Sequence, residues 1–138
     1  MGSSYKETIE NFMIFIMDVY NKYKSIKNDS LLNYEKEEWE IFQKGKDIYD
    51  EYLTNSIRFL CKCLYTLLGK KVILLIDNYD SHFLKASNTK FYNEIYSFYG
   101  SVLTNIFTYD TGYNYLLSLS IFMILITITI IIIIIIII

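Results

Sequence analysis

The feature that most constrains the fold is a short apolar run in the middle of the chain. Residues 72–76, VILLI, follow two lysines and lead directly into Asp77. A wholly apolar run of this length, rich in β-branched residues, is typical of a strand buried on both faces of a sheet. Helices cover both faces of such a sheet, and functional groups gather beyond the carboxyl ends of its strands. An aspartate followed by asparagine also suits an ordinary turn, so the run alone leaves both interpretations open.

Asp77 and its neighbours resemble a known family. The segment 74–80, LLIDNYD, resembles the LIDEYD signature of the predicted AAA-ATPase-like family of P-loop proteins, and the flanking residues extend the resemblance to about residues 48–107. In that family the aspartate after the strand belongs to a Walker B segment. The resemblance implies that Asp77 holds Mg²⁺ on ATP, with Asp80 beside it in the nucleotide site.

Two departures from the family pattern bear on activity. Asn78 stands where the family has a glutamate. If that glutamate polarises the attacking water, the amide of Asn78 cannot replace it, because an amide does not accept the water's proton. The family's upstream phosphate loop, G-x-x-x-x-G-K-[ST], is also missing, because Gly2, Gly45 and Gly69 are the only glycines before Asp77 and none has that spacing. We therefore expect a degenerate fragment that binds no cofactor by itself and does not hydrolyse ATP.

The C-terminal segment 116–138 is the second strong signal. It contains 19 apolar residues, no charge and nine consecutive isoleucines. As a helix it would be about 35 Å long at 1.5 Å per residue, enough to cross a bilayer core of about 30 Å. We expect a transmembrane helix in contact with membrane lipid, and a single-pass protein whose residues 1–110 face the cytosol. The alternative is a low-complexity, repeat-derived tail on a truncated gene product.

Apolar residues that recur at intervals of three and four predict the helices. Their expected ranges are 6–27, 34–46, 48–68 and 89–106, with Gly69 as the C-cap of the third. The expected apolar stripes are Ile9, Phe12, Met13, Ile16, Met17, Tyr20 and Tyr23 in the first helix and Phe91, Ile95, Phe98, Val102 and Ile106 in the last. The charged run around Trp39 predicts a solvated face, so we expect its carboxylates, Glu35 among them, to stay unburied.

These patterns predict a mainly helical α/β fragment with a single buried strand at 72–76 and a C-terminal transmembrane helix. The expected organisation is a helical N-terminal segment (1–47), a partial ATPase-like domain (48–107), a linker (108–115) and the apolar tail (116–138). One strand cannot form a sheet, so a protein partner would complete it. Two functional alternatives stay open: a tail-anchored protein whose helices hold partners, and a gene product without a selected function.

Cysteine, histidine and net charge exclude some kinds of site. Cys61 and Cys63 face different directions if they lie on one helix, so they cannot chelate a single metal or form an ordinary disulfide. We expect both to be structural thiols, buried or half-buried. His82, the only histidine, is expected to be an exposed loop residue without a metal or catalytic role. A net charge of −2 offers no basic footprint for nucleic acid.

Overall fold

The computed structural model describes residues 5–27, 29–46, 48–70, 72–77, 90–107, 116–120 and 133–137. Its helical elements are α1 (Tyr5–Tyr23), a 3₁₀ turn (Lys24–Ile26), α2 (Asn33–Lys44), α3 (Asp50–Leu53), α4 (Ser56–Leu68) and α5 (Tyr92–Phe107). Its strands are β1 (Val72–Asp77), β2 (Leu116–Ser120) and β3 (Ile133–Ile137).

The apolar stripes of α1 and α5 lie in the core, which confirms the periodicity prediction. The stripe of α1 is buried at Ile9, Phe12, Ile16 and Tyr20, and that of α5 at Ile95, Phe98, Val102 and Ile106. The other predicted stripe residues, Met13, Met17, Tyr23 and Phe91, are half-buried. The two stripes meet at Phe12, whose ring packs edge-on against Phe98 at a centroid distance of 5.2 Å. Residues three and four apart share one face of a helix, so each helix can bury one side and leave the other in water.

An aromatic cluster joins α1, α2 and the segment that follows. The side chains of Tyr20, Trp39 and Phe42 are each 0% exposed. The ring centroid of Tyr20 lies 5.0 Å from that of Trp39 and 5.3 Å from that of Phe42. The hydroxyl of Tyr20 donates a hydrogen bond of 2.6 Å to the carbonyl of Ser56, so its buried polar atom is satisfied.

The helix expected over 48–68 is interrupted. It forms the short helix α3 and the longer helix α4, separated at Thr54 and Asn55. The Thr54 hydroxyl donates a hydrogen bond to the carbonyl of Glu51, and the backbone N–H of Asn55 donates one to the carbonyl of Tyr52. These hydrogen bonds, from residue i to residue i−3, tighten the backbone into a turn. Threonine and asparagine favour such a turn over a continuing helix. Hydrophobic periodicity continues across the turn, which is why the sequence did not reveal it.

The predicted fold class, an α/β fragment with a single buried strand and a transmembrane helix, is wrong. The body of the molecule is mainly helical, and no strand occurs among the described residues between 5 and 70 or between 90 and 107. Strand β1 is not single, since it lies between β2, which is parallel to it, and β3, which is antiparallel. The Walker B assignment is wrong for the same reason. A Walker B strand belongs to a parallel sheet at the centre of its domain, and here the core forms mainly between helices.

The predicted transmembrane helix is wrong as well. In the described part of the chain, no helix combines the length and the apolar character that crossing a bilayer requires. Residues 116–120 and 133–137 pair with β1 as strands. A uniform run of leucine and isoleucine has no periodicity to separate helix from strand, and β-branched isoleucine favours strands. Residues 108–115 and 121–132 lie outside the described residues, so the linker, lipid contact and membrane localisation stay predictions.

The expectation that the carboxylates around Trp39 are all unburied is wrong for Glu35. This residue is 4% exposed, and both of its carboxylate oxygens are used. One accepts the backbone N–H of Leu32 at 2.9 Å and the other lies 2.8 Å from the ammonium group of Lys62 on α4. Glu35 therefore caps the start of α2 and links it to α4.

Substituting Gly45 should destabilise the protein more than substituting Gly69. Both glycines end a helix in the left-handed region, with φ of 62° and 59°. Gly69→Ala meets no neighbouring atom and should cost about 1–2 kcal/mol from backbone strain alone. The Cβ of Gly45→Ala would also collide with the side chain of Met17, so its cost should be about 2–3 kcal/mol. Urea unfolding followed by circular dichroism measures the difference, and equal midpoints would contradict this packing.

Neutralising Glu35 should lower stability and flatten its acid dependence. Burial by itself raises the pKa of Glu35, but the hydrogen bonds from Lys62 and Leu32 and the charge of Lys62 outweigh it and hold the pKa below the ordinary value of 4.5. A depressed pKa contributes stability above the ordinary value, and this contribution is lost as the pH falls through the folded-state pKa. Glu35→Gln should therefore lower the free energy of unfolding by about 1–3 kcal/mol at neutral pH.

The control for Glu35→Gln is Asp29→Asn. Asp29 pairs with Lys36 at 2.9 Å, but its side chain is fully exposed, so the pair is solvated. Asp29→Asn should leave the urea midpoint unchanged. An equal loss in both variants, or an unaltered acid slope in Glu35→Gln, would show that the buried pair does not stabilise the link between α2 and α4.

Candidate functional site

The residues predicted to form a nucleotide site fall at the edge of the described structure. Asp77 is the last residue of β1, and its backbone is in register with Ser120 of β2. Asp80, Asn78 and His82 lie outside the described residues. Among the residues that are described, no group of three or more His, Cys, Asp or Glu side chains is arranged to hold a metal ion. The expectation that Asp77 and Asp80 bind Mg²⁺ and ATP stays a prediction.

Cys61 and Cys63 are buried, unpaired thiols on α4, as predicted. Burial raises the pKa of each thiol to about 12, because the thiolate would lose its hydration in the core. The thiolate is the nucleophilic form of cysteine, and at neutral pH it is almost absent from both residues. Neither residue suits nucleophilic or redox chemistry in the folded protein.

A groove opens where the N-terminus of α1, helix α3 and the first half of α5 meet. Its volume is about 710 Å³. It is lined by Tyr5, Asp50, Glu51, Thr54, Asn93, Glu94, Ser97, Phe98 and Ser101. Phe98 is a buried apolar side chain, whereas the other lining groups are polar or carry polar atoms. This set of residues is called the acidic groove below.

The charges of the acidic groove have one sign. Asp50, Glu51 and Glu94 are exposed carboxylates, and neither lysine nor arginine occurs among the lining residues that the structure describes. No ion pair between described residues neutralises any of the three. A concave surface lined by charge of one sign concentrates its electric field and attracts ligands of the opposite sign.

Hydrogen bonds hold the walls of the acidic groove together. The hydroxyl of Tyr5 donates to the carboxylate of Asp50 at 2.7 Å, which ties α1 to α3. The side-chain amide of Asn105 donates to the hydroxyl of Thr54 at 3.0 Å, which ties α5 to the end of α3. Burial, the hydrogen bond to Asp50 and the charges of Asp50 and Glu94 all raise the pKa of Tyr5. The phenol therefore stays protonated at neutral pH and keeps donating to Asp50.

Sequence reasoning missed the acidic groove completely. Tyr5 and Asp50 are 45 residues apart and touch only because their helices pack together. None of the groove carboxylates belongs to a motif, and each looks like an ordinary solvated charge in the sequence. The repeated acidic residues near Trp39 gave a stronger sequence signal, yet Glu35 turned out to be a structural residue.

Comparisons with protein-family models, curated proteins and solved structures found no match to this chain. The resemblance to the AAA-ATPase-like family therefore stays a prediction.

Thiol labelling should distinguish buried cysteines from reactive ones. In the native full-length chain at neutral pH, Cys61 and Cys63 should react with Ellman's reagent more than a hundredfold more slowly than in denaturant, because both are buried and protonated. Rapid labelling of either cysteine in the native protein would contradict this placement. Labelling in denaturant serves as the control, since both thiols should then react fully.

Proposed function

We propose that the helical body is a protein-interaction module whose acidic groove receives a segment of a partner protein rich in lysine and arginine. The observation that carries the proposal is the meeting of three exposed carboxylates, from α3 and α5, in one open groove whose described lining residues include neither lysine nor arginine. An interaction role is one of the alternatives that the sequence leaves open. It needs no phosphate loop and no strand-borne aspartate.

The lining of the groove fits the two parts of a basic side chain. The ammonium or guanidinium group would pair with Asp50, Glu51 or Glu94, and the hydroxyls of Ser97 and Ser101 add acceptors. The aliphatic stems of lysine and arginine pack readily on apolar surface while their charged ends remain in water. Phe98 also lines the groove, but it is 4% exposed and offers only a small part of that surface.

Charge complementarity also determines how the binding should behave. Exposed ion pairs contribute modestly to affinity and more strongly to the rate of association and to the choice of partner. Their contribution weakens as salt rises, because the Debye length shortens to about 3 Å at 1 M salt. A basic segment should therefore bind weakly to moderately, and its affinity should fall with ionic strength.

Removing the groove charges should weaken the binding of a basic peptide. The test measures fluorescence anisotropy of a labelled peptide of alternating arginine and serine with the full-length chain. The triple variant Asp50→Asn, Glu51→Gln and Glu94→Gln should lose about tenfold in affinity at low salt, the sum of three exposed charge pairs. The wild-type affinity should approach that of the variant at high salt.

A matched control separates the groove from net charge. The triple variant Asp18→Asn, Asp29→Asn and Glu37→Gln removes the same charge from exposed carboxylates outside the groove. It should bind the basic peptide almost as well as the wild type. Equal losses in the two triple variants, or equal binding of an acidic peptide of the same length, would reject the groove as the interaction site.

A further inference from the structure

One side of α5 carries an aromatic and apolar surface that lies apart from the acidic groove. It consists of Tyr92, Tyr96, Gly100 and Leu103, whose spacing of four, four and three residues places them on one face of the helix. None of them is among the described residues that line the acidic groove. The rings of Tyr92 and Tyr96 lie with their centroids 5.8 Å apart, and Tyr96 is 55% exposed. This set of residues is called the tyrosine face below.

Gly100 is the unexplained residue of the tyrosine face. Glycine inside a helix is less favourable than alanine, because it loses more conformational freedom on folding. Gly100 lies within α5 and does not adopt the left-handed backbone conformation for which glycine is needed at Gly45 and Gly69. A Cβ atom added to Gly100 would meet no atom of the described structure within 4 Å. The described part of one copy therefore gives no reason for glycine here, and the position is an open notch one helical turn from Tyr96.

The part of α5 that follows Glu94 also lacks charge. Residues 95–107 contain no Asp, Glu, Lys, Arg or His, although Tyr96 and Thr104 are exposed. The exposed faces of α1 and α2, by contrast, are rich in charged residues. Tyrosine is enriched and charged residues are depleted at the centre of protein–protein interfaces. An uncharged face offers a charged partner no ion pair, whereas a second copy of the same chain meets no like-charge repulsion there.

We propose that two copies of the chain associate through the tyrosine face, with Tyr96 of each copy packed into the notch at Gly100 of the other. A symmetric dimer uses the same patch on both subunits, so residue i contacts residue j of the second copy and j contacts i. Tyr96 and Gly100 supply the two halves of such a contact when the two α5 helices cross in antiparallel directions. This inference is independent of the partner proposed for the acidic groove.

Sedimentation velocity of the full-length chain, from low to high micromolar concentration, tests this dimer. The wild type should shift from monomer to dimer as its concentration rises, because one pair of helices buries little surface and associates weakly. Gly100→Ala should raise the dissociation constant about tenfold or more, since a new methyl group would collide with each Tyr96 ring of the dimer. The same substitution should raise the urea midpoint of the monomer, because alanine favours the helix.

A second variant and a control separate this contact from other association. Tyr96→Ala should weaken the dimer about as much as Gly100→Ala, because a tyrosine at the centre of an interface contributes strongly to binding. Asn11→Ala changes an exposed position on α1 to the same residue and should leave the dissociation constant unchanged. A chain that stays monomeric at every concentration would overturn the proposal. So would a dimer that both Gly100→Ala and Tyr96→Ala leave intact, such as one held together by the apolar tail.

Discussion

The buried aromatic cluster of Tyr20, Trp39 and Phe42 is the contact on which the rest of the helical body depends. It closes α1 against α2, and Phe42 extends it by stacking on Tyr52 of α3 at 5.1 Å. Aromatic pairs contribute about 0.5–1.5 kcal/mol each beyond the area they bury. The hydroxyl of Tyr20 also fixes the first turn of α4 through the carbonyl of Ser56. One residue thereby links the packing of the core to the position of the turn between α3 and α4.

That turn lies between two surface pockets. Asp50, Glu51 and Thr54 line the acidic groove, whereas Asn55 and Arg58 line a smaller pocket between α2 and α4. A continuous helix over 48–68 would distribute these side chains differently around one axis. The Thr54 hydroxyl bonds to the carbonyl of Glu51 and the backbone N–H of Asn55 to the carbonyl of Tyr52, so α3 ends here and α4 begins, and two stretches of one amphipathic segment serve two surfaces.

The buried pair of Glu35 and Lys62 shows how a charged stretch can have a structural role. Both carboxylate oxygens of Glu35 are satisfied, one by the start of α2 and one by α4. An unpaired carboxylate would be costly in this position, whereas a fully bonded one can remain buried. The same pair joins α2 to α4, because Glu35 belongs to α2 and Lys62 to α4.

Local pattern was sufficient for several features of this chain. The stripes of α1 and α5, the cap at Gly69 and the burial of Cys61 and Cys63 follow from helical periodicity and residue type, which act over a few residues. The sheet partners of β1 could not be predicted in this way. A uniform apolar tail satisfies the rules for a membrane helix and for a strand equally well, and only pairing with β1 distinguishes them.

The amino-acid sequence by itself determined that α1 and α5 form and which of their faces are apolar, because both depend on spacing along the chain. Only the tertiary structure decided that Glu35 is buried, that Tyr5 meets Asp50, and that the carboxylates of α3 and α5 share one groove. Those outcomes depend on how helices distant in sequence pack together. Packing is a property of whole surfaces, and no local pattern encodes it.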